Sequence, residues 1–412
     1  MQPVESNPIS DSNGFNPNIL PDKSRKTDFW SHLALSMAER SSKGLGRQVV
    51  VSRPVGPTTI ERNGHLAVNF GANDYLGLAW HPELILAAYS NSSPPNKVGS
   101  GASPLITGHS QIHAELVSSI AAFEATESAI VFSSGYAANL GSLASLATKD
   151  DVIFSDSLNH ACLIDGCRLS RARVLVYPHC NTDALRRLIQ DHRHLGRFAF
   201  VVTDSVFSMD GDLAPLSEIA GLCEEFDMQC VVDEAHATGV YGHFGRGLTE
   251  HLNVSSERMI RIGTLSKAVG CVGGFVAGNQ LLIDWLTNHA RSWIYSTAMT
   301  FPNTLAAIRA LSLVHDMQDE RKLLEQKATS TRLKLNNLGF RVGSGTSPII
   351  PVYFHDAVEV IEKCQRLLEQ GIYVPAIRPP TVPAGTSLLR ISLSAVHSEQ
   401  ELTQLVSAFQ KL

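Results

Sequence analysis

The chain has 412 residues, 44% of them hydrophobic and 18% charged, with a formal net charge of −5. That length exceeds one small core and calls for a large central domain with smaller lobes. The slight acidity gives no electrostatic ground for nucleic-acid binding, and a transmembrane helix is not expected without a long unbroken apolar run.

The first two dozen residues are rich in Asn, Ser, Pro and Asp and lack the apolar stretch of a signal peptide, so residues 1–26 read as a flexible polar tail. Thr27 or Asp28 can then cap a helix carrying Phe29, Trp30, Leu33, Ala34 and Met37 at helical spacing, stopped by Gly44 and Gly46. Such an arm suits packing on a partner subunit. A small β segment follows, Val49-Val50-Val51 and then Leu66-Ala67-Val68-Asn69-Phe70, leading to Asn73-Asp74-Tyr75-Leu76-Gly77-Leu78; helix and β segment together form a region 27–94.

From residue 95 to 302, helical stretches alternate with short apolar runs: Ala129-Ile130-Val131-Phe132, Asp151-Val152-Ile153-Phe154, Arg173-Val174-Leu175-Val176-Tyr177, Phe198-Ala199-Phe200-Val201-Val202, Cys230-Val231-Val232 and Met259-Ile260-Arg261-Ile262. Continuous apolar strands separated by helices predict a largely parallel sheet covered on both faces, with ligands beyond the carboxyl ends of its strands. Residues 303–412 predict a long helix and a smaller C-terminal α/β domain, with strands near Ile349-Ile350-Pro351-Val352 and Leu388-Leu389-Arg390-Ile391. Seven cysteines at irregular positions (Cys162, Cys167, Cys180, Cys223, Cys230, Cys271, Cys364) show no C-x-x-C and no metal-ligand spacing. Mostly buried free thiols, no bound metal and a cytoplasmic setting are expected. The ending Gln410-Lys411-Leu412 is only a distant match to a peroxisomal address.

The chemistry concentrates after the strands. Lys267 follows the turn Gly263-Thr264-Leu265-Ser266 and precedes the glycine-rich run Gly270-Cys271-Val272-Gly273-Gly274, while upstream a strand ends in Asp233-Glu234-Ala235-His236. An acid and an imidazole at a strand's exit, followed by a lysine in a Ser/Thr-rich turn, are the parts needed to hold pyridoxal phosphate. Lys267 would form the Schiff base, Asp233 would keep the pyridine nitrogen protonated, and the Thr264 hydroxyl can reach the phosphate. Ser133-Ser134-Gly135-Tyr136 ends a strand and starts a helix whose free N–H groups suit a phosphate, although the same turn also serves as a plain βα connection. His160 in Asn159-His160-Ala161 can stack on the pyridine face or be a structural histidine. Ser208 in Phe207-Ser208-Met209-Asp210-Gly211 can bond the phenolic oxygen, and His236 can contact that oxygen or a substrate carbonyl.

Together these stretches resemble the α-oxoamine synthase family, along with Gly99-Ser100-Gly101, Tyr295-Ser296-Thr297 and Ala376-Ile377-Arg378-Pro379-Pro380-Thr381-Val382-Pro383-Ala384-Gly385-Thr386 ahead of Leu389-Arg390-Ile391-Ser392. The resemblance spans residues 27 to 410 and implies the fold type I, aminotransferase-like architecture of PLP-dependent transferases. It further implies a homodimer whose site is shared across the interface, and a decarboxylative condensation of an amino acid with an acyl thioester. Within the family the pattern is most similar to the branch that joins L-alanine to a pimeloyl thioester, pimeloyl-CoA or pimeloyl-carrier protein, in biotin biosynthesis. A sister synthase acting on glycine and acetyl-CoA, or a non-catalytic partner subunit, are the alternatives. By the resemblance Lys267, Asp233, His160, Ser208 and His236 keep the roles above. Ser134, Gly135, Tyr136 and Thr264 hold the phosphate with Thr297 of the neighbouring subunit, Arg390 receives the α-carboxylate, and Arg378, Arg47 and Asn73 contact substrate.

Overall fold

A computed structural model describes residues 28–89, 97–254 and 257–412. The polar tail and Thr27 lie outside the described residues. The chain divides into two units, Met1–Val50 and Val51–Leu412.

In the first unit the helix Phe29–Ser42 forms where its apolar spacing predicts, and Asp28 is its cap, accepting from Ser31 N at 2.9 Å. None of its residues is buried. The strand expected at Val49-Val50-Val51 does not form; pairing begins at Ser52–Pro54. Val49 and Val51 are 100% and 86% exposed, so β propensity without burial decides nothing there.

The larger unit is built on a seven-stranded sheet in the order Ser128–Phe132, Gly274–Gly278, Met259–Thr264, Gln229–Asp233, Ala199–Asp204, Val152–Asp156, Arg173–Tyr177. Six of these strands follow the apolar runs read from sequence. The seventh, Gly274–Gly278, was hidden in a glycine-rich stretch and is antiparallel to both its neighbours. Two reversals restore direction, so Ser128–Phe132 still ends at the same edge as the parallel strands.

Both faces are covered, and the side-chain alternation shows how. Val152 and Phe154 enter one core while Ile153 enters the other; Val201 and Val232 join the first, and Phe200, Val202 and Val231 join the second. The first core is closed by the helices Gln111–Glu124, Thr182–His192 and Leu216–Glu225 through residues such as Leu116, Ile120, Leu185, Ile189 and Leu222. The second is closed by Gly135–Leu146, Ala161–Ser170 and Gln280–His289 through Leu143, Leu163 and Leu286.

After the long helices Phe301–Asp316 and Gln318–Asn337, a small antiparallel sheet pairs Ile349–Tyr353 with Leu388–Ser392, and the latter with Ala376–Ile377. The N-terminal strands Thr59–Arg62 and His65–Asn69 do not stand alone: Ile372–Tyr373 adds in parallel to the second of them. All seven cysteines are free; Cys162, Cys167, Cys223 and Cys230 are buried and the other three half-buried. Among the described residues no helix is long and apolar enough to cross a membrane.

Candidate active site

The carboxyl ends of the strands open into one cavity of about 250 Å³ lined by Ser134, Gly135, Tyr136, His160, Asp233, His236, Thr264 and Lys267, together with Asn139, Cys162, Asp204 and Ser266. Eight residues singled out from four separate stretches of sequence therefore share one space, because each closes a strand or lies within four residues of its end on the same sheet edge.

Asp233 closes its strand and is 4% exposed. Its Oδ2 accepts from Asn139 Nδ2 at 2.7 Å and its Oδ1 from Ala235 N at 2.8 Å. A buried carboxylate needs such donors and a cationic partner, and the remaining coordination faces the cavity. Next to it, Asp204 accepts from His160 N at 2.7 Å. Burial first, and then the charge of Asp233, push its pKa well above the usual carboxylate range. Lys267 is half-buried. Desolvation lowers its pKa, with Arg390 adding to the shift and Asp233 and Asp204 opposing it, which favours the neutral amine that condenses with a carbonyl.

At the other end, Ser134 caps the helix Gly135–Leu146, its side chain accepting from Ala137 N at 3.1 Å. The N–H groups of Gly135 and Tyr136 have no partner within the helix and stand at the positive end of its dipole. The turn is cramped: a Cβ on Gly274 would lie 2.5 Å from Ser134 O, and one on Gly135 would lie 3.1 Å from Thr264 Oγ1. Small residues thus keep a backbone cradle open where an anion can approach. Thr264 Oγ1 donates to Gly273 O at 2.8 Å and pairs with Ser266 Oγ at 2.7 Å, so Ser266 shares the hydroxyl position first read as Thr264 alone. The donor cradle, the paired carboxylate and the depressed lysine in one cavity fit the phosphate, ring nitrogen and aldehyde of PLP.

The other expected residues fall around this cavity. His160 caps the helix Ala161–Ser170, and its Nδ1 accepts from Cys162 N at 3.3 Å. Tyr136 stands edge-on to it at 6.4 Å and donates to Asp165. Arg390, 5% exposed, donates from Nη1 to Asn73 Oδ1 at 3.0 Å and from Nε to the backbone oxygen of Ser208. That joins two sequence-distant candidates to the loop carrying Ser208. Ser208 itself, Thr297 and Arg378 do not line this cavity; Thr297 is exposed, and Arg378 lies just past the strand Ala376–Ile377. Arg47 belongs to the first unit.

Sequence reading missed Asn139, Asp204 and Tyr75. Asn139 carried a usable signal, since it sits one helical turn beyond the Ser134–Gly135 cradle; Tyr75 carried none beyond its aromatic character. His179 was missed as well. It bridges Asp156 (2.9 Å) and Asp212 (2.8 Å), tying the start of the His160 loop to the end of the Ser208 loop. These carboxylates and Cys180 raise its pKa to about 12 against the opposing effect of burial. Asp156, His179 and Cys180 have ligand atoms near enough to surround a metal, but both imidazole nitrogens are already spent on carboxylates, which makes the cluster a cationic pin between two loops.

The family profile of aminotransferase class I and II covers residues 67–409. An 8-amino-7-oxononanoate synthase of Geobacter sulfurreducens is 42% identical over 383 residues, 92% of this chain and 97% of that protein. Among solved structures, the serine palmitoyltransferase of Sphingomonas wittichii overlays with a TM-score of 0.87 at 31% identity, covering 93% of this chain and 98% of that one. An 8-amino-7-oxononanoate synthase of Francisella tularensis overlays with a TM-score of 0.70 at 28% identity, over 84% and 97%.

Proposed function

The chain belongs to the aminotransferase class I and II family, and we propose that it is a PLP-dependent acyltransferase condensing L-alanine with a pimeloyl thioester to give 8-amino-7-oxononanoate, CO2 and the free thiol carrier. The observation that carries this reading is the convergence of Lys267, Asp233, His160 and His236 on one cavity, in a chain 42% identical over 92% of its length to a synthase of that name.

Bound in this cavity, PLP supplies a carbonyl for imine formation with amines and a ring that accepts the electron pair left when a Cα proton departs. The protein supplies the rest. Asp233, held by Asn139 and Ala235, keeps a proton on the ring nitrogen. Gly135 and Tyr136 N–H groups with the Thr264–Ser266 hydroxyls receive the phosphate, and His160 covers the ring face. Arg390, its guanidinium oriented by Asn73 and Ser208, receives the α-carboxylate of alanine by charge-assisted hydrogen bonds. The released Lys267 amine takes the Cα proton, its pKa lowered by burial toward the range of a working base. His236 stays neutral, because burial and the charges of Lys267 and Arg390 hold its pKa far down; it polarises the acyl carbonyl during attack as an uncharged donor.

The working unit is a homodimer to which Thr297 contributes across the interface. Exposed apolar side chains at Val98, Ile106 and Tyr295 support an apolar face beside that segment. A cytoplasmic setting accords with seven unpaired thiols. The sister activities keep one observation in their favour, the higher TM-score to a serine palmitoyltransferase. Assaying purified protein with L-alanine, glycine and L-serine against pimeloyl-, acetyl- and succinyl-CoA decides between them: turnover of alanine with pimeloyl-CoA is expected to dominate, and preference for any other pair overturns the assignment.

A further inference from the structure

In a neutral imidazole one nitrogen donates and the other accepts, so what His236 can do in the cavity depends on which nitrogen bears the proton. Its Nδ1 is already engaged, 2.7 Å from the hydroxyl of Tyr75, a residue fully buried and outside the cavity lining. Nε2 is the nitrogen left for the reacting groups.

The neighbours decide which member of the pair donates. Arg390 has only donors, so its contact with Asn73 Oδ1 at 3.0 Å fixes the amide of Asn73 with its oxygen toward the guanidinium. That oxygen therefore already accepts a charge-assisted hydrogen bond, and Ser392 Oγ lies 3.5 Å from it as well. The Tyr75 hydroxyl has one proton and two acceptors in reach: Asn73 Oδ1 at 3.3 Å and His236 Nδ1 at 2.7 Å. The imidazole nitrogen is nearer and uncommitted. The reverse arrangement, His236 donating to the phenol, would send the phenol proton to the longer contact with an oxygen that the guanidinium already occupies.

We propose that Tyr75 is a positioning residue that holds His236 as its Nε2–H tautomer, so that the ring presents a donor to the acyl oxygen, and that Asn73, locked by Arg390, leaves the phenol no better acceptor. The proposal rests on the role given to His236 in the condensation. Burial raises the pKa of the phenol, with the Arg390 charge opposing, and lowers that of the imidazole; both groups keep the single proton that the arrangement needs. One chain of contacts thus runs from the carboxylate-binding arginine to the histidine that faces the acyl group.

The test reads the ring directly. Cofactor-free protein labelled with ¹⁵N-histidine gives the tautomer of His236 from its nitrogen shifts and proton couplings, the resonances being identified by their loss in His236→Gln. Expected are a protonated Nε2 and a bare Nδ1 in the parent protein, and a shift toward the Nδ1–H form in Tyr75→Phe. In the loaded enzyme Tyr75→Phe should lower kcat about tenfold while KM for alanine, set at Arg390, changes less than about twofold. An Nδ1–H ring in the parent protein overturns the proposal, and that spectrum decides even if Tyr75→Phe does not fold. A changed tautomer with unchanged kcat overturns the link from ring to rate. Absence of turnover by the parent protein with every amino acid and thioester pair counts against the condensation itself, while the tautomer measurement still stands or falls by its own spectrum.

Discussion

Acid should weaken this fold at an identifiable ring. His397 is 2% exposed and stacks on Phe70, with ring centroids 4.4 Å apart and planes inclined by 16°. Its Nδ1 accepts from Ser394 N at 2.9 Å and its Nε2 donates to Asn69 O at 3.2 Å. The neutral ring is fully satisfied, and a second proton would have to enter against the Ser394 N–H. Burial above all lowers its pKa from 6.5 to about 4, helped by Lys327 and opposed by Glu401. Between those values the unfolded chain binds a proton that the native chain does not, so stability is whole above pH 6.5 and is lost as the pH falls toward 4. The full loss is about 3 kcal/mol, of which about 2 kcal/mol is gone by pH 5. The ring lies in a seam made by Ser392 N to Phe70 O (2.8 Å), Ser394 Oγ to Asp74 O (2.6 Å) and Ala395 N to Tyr75 O (2.8 Å), the same seam that brings Arg390 to Asn73. KM for alanine should therefore rise below pH 6 before global unfolding sets in. Urea unfolding at pH 8 and pH 5 of the parent and of His397→Gln, whose amide can still donate and accept, isolates the effect. His236 and His179 also titrate differently in the two states, but they cancel in the comparison. The variant should lose about 2 kcal/mol less than the parent between the two pH values; equal losses in the two proteins would refute the reasoning.

Loaded protein should be yellow, with a visible band that disappears on borohydride treatment and leaves the label on the Lys267 peptide, and Lys267→Ala should not turn over; normal turnover would sink the mechanism. Mixing inactive Lys267→Ala with Thr297→Ala should recover some activity through hybrid dimers, and an active monomer in sedimentation would contradict the shared site. Asn139→Leu removes a 2.7 Å donor from a buried carboxylate, a contact worth roughly 1.5–3 kcal/mol, so PLP affinity or kcat should fall about tenfold to a hundredfold; a spectral titration unchanged from the parent would remove Asn139 from this role. Arg390→Ala should impair alanine use first, and Arg378→Ala pimeloyl-CoA use first, each by about tenfold to a hundredfold; unchanged pimeloyl-CoA kinetics in the latter would reopen the acyl substrate.

The sheet was legible because its strands are buried on both faces and so read as unbroken apolar runs between helices. The one missed strand, Gly274–Gly278, has glycine at both ends for a steric reason. A Cβ at Gly274 would strike Ser134 and Gly135, while the adjacent strand needs Gly263 because a Cβ there would lie 2.1 Å from the Phe275 ring. Glycine-rich composition imitates a loop when its real cause is close packing. The cavity residues were legible because chemistry confines them to strand ends, where the chain leaves the sheet on one edge. What the sequence hid is the layer behind them. Asn139, Tyr75 and His179 act through partners 94, 161 and 23 residues distant, and a contact at such separation exists only once the fold has closed. The strand expected at residues 49–51 failed for the opposite reason, since Val49 and Val51 are left 100% and 86% exposed and propensity alone does not make a strand.

Two carboxylates share the cavity, and they differ in their hydrogen-bond donors. Asp233 receives Asn139 Nδ2 and Ala235 N, whereas the carboxyl of Asp204 receives His160 N and is pushed toward its protonated form by burial and by Asp233. Two adjacent buried carboxylates cannot both ionise at small cost, and of the two Asp233 is the better supplied with hydrogen-bond donors. Lys267 lines the same cavity and feels the charge of Arg390, with a helix N-terminus at Gly135 adding positive potential. Desolvation and the charge of Arg390 both act to depress Lys267, against the opposing charges of Asp233 and Asp204. An anionic phosphate would meet the positive end of the helix dipole, and a carboxylate would meet the guanidinium of Arg390. The same balance should exclude amines that lack an α-carboxylate: such an amine could reach Lys267 but would leave Arg390 buried beside a second cation. Selection for an amino acid is therefore set by the charge arithmetic of the cavity before any contact with the side chain, and discrimination among alanine, glycine and serine must come from shape around Cβ.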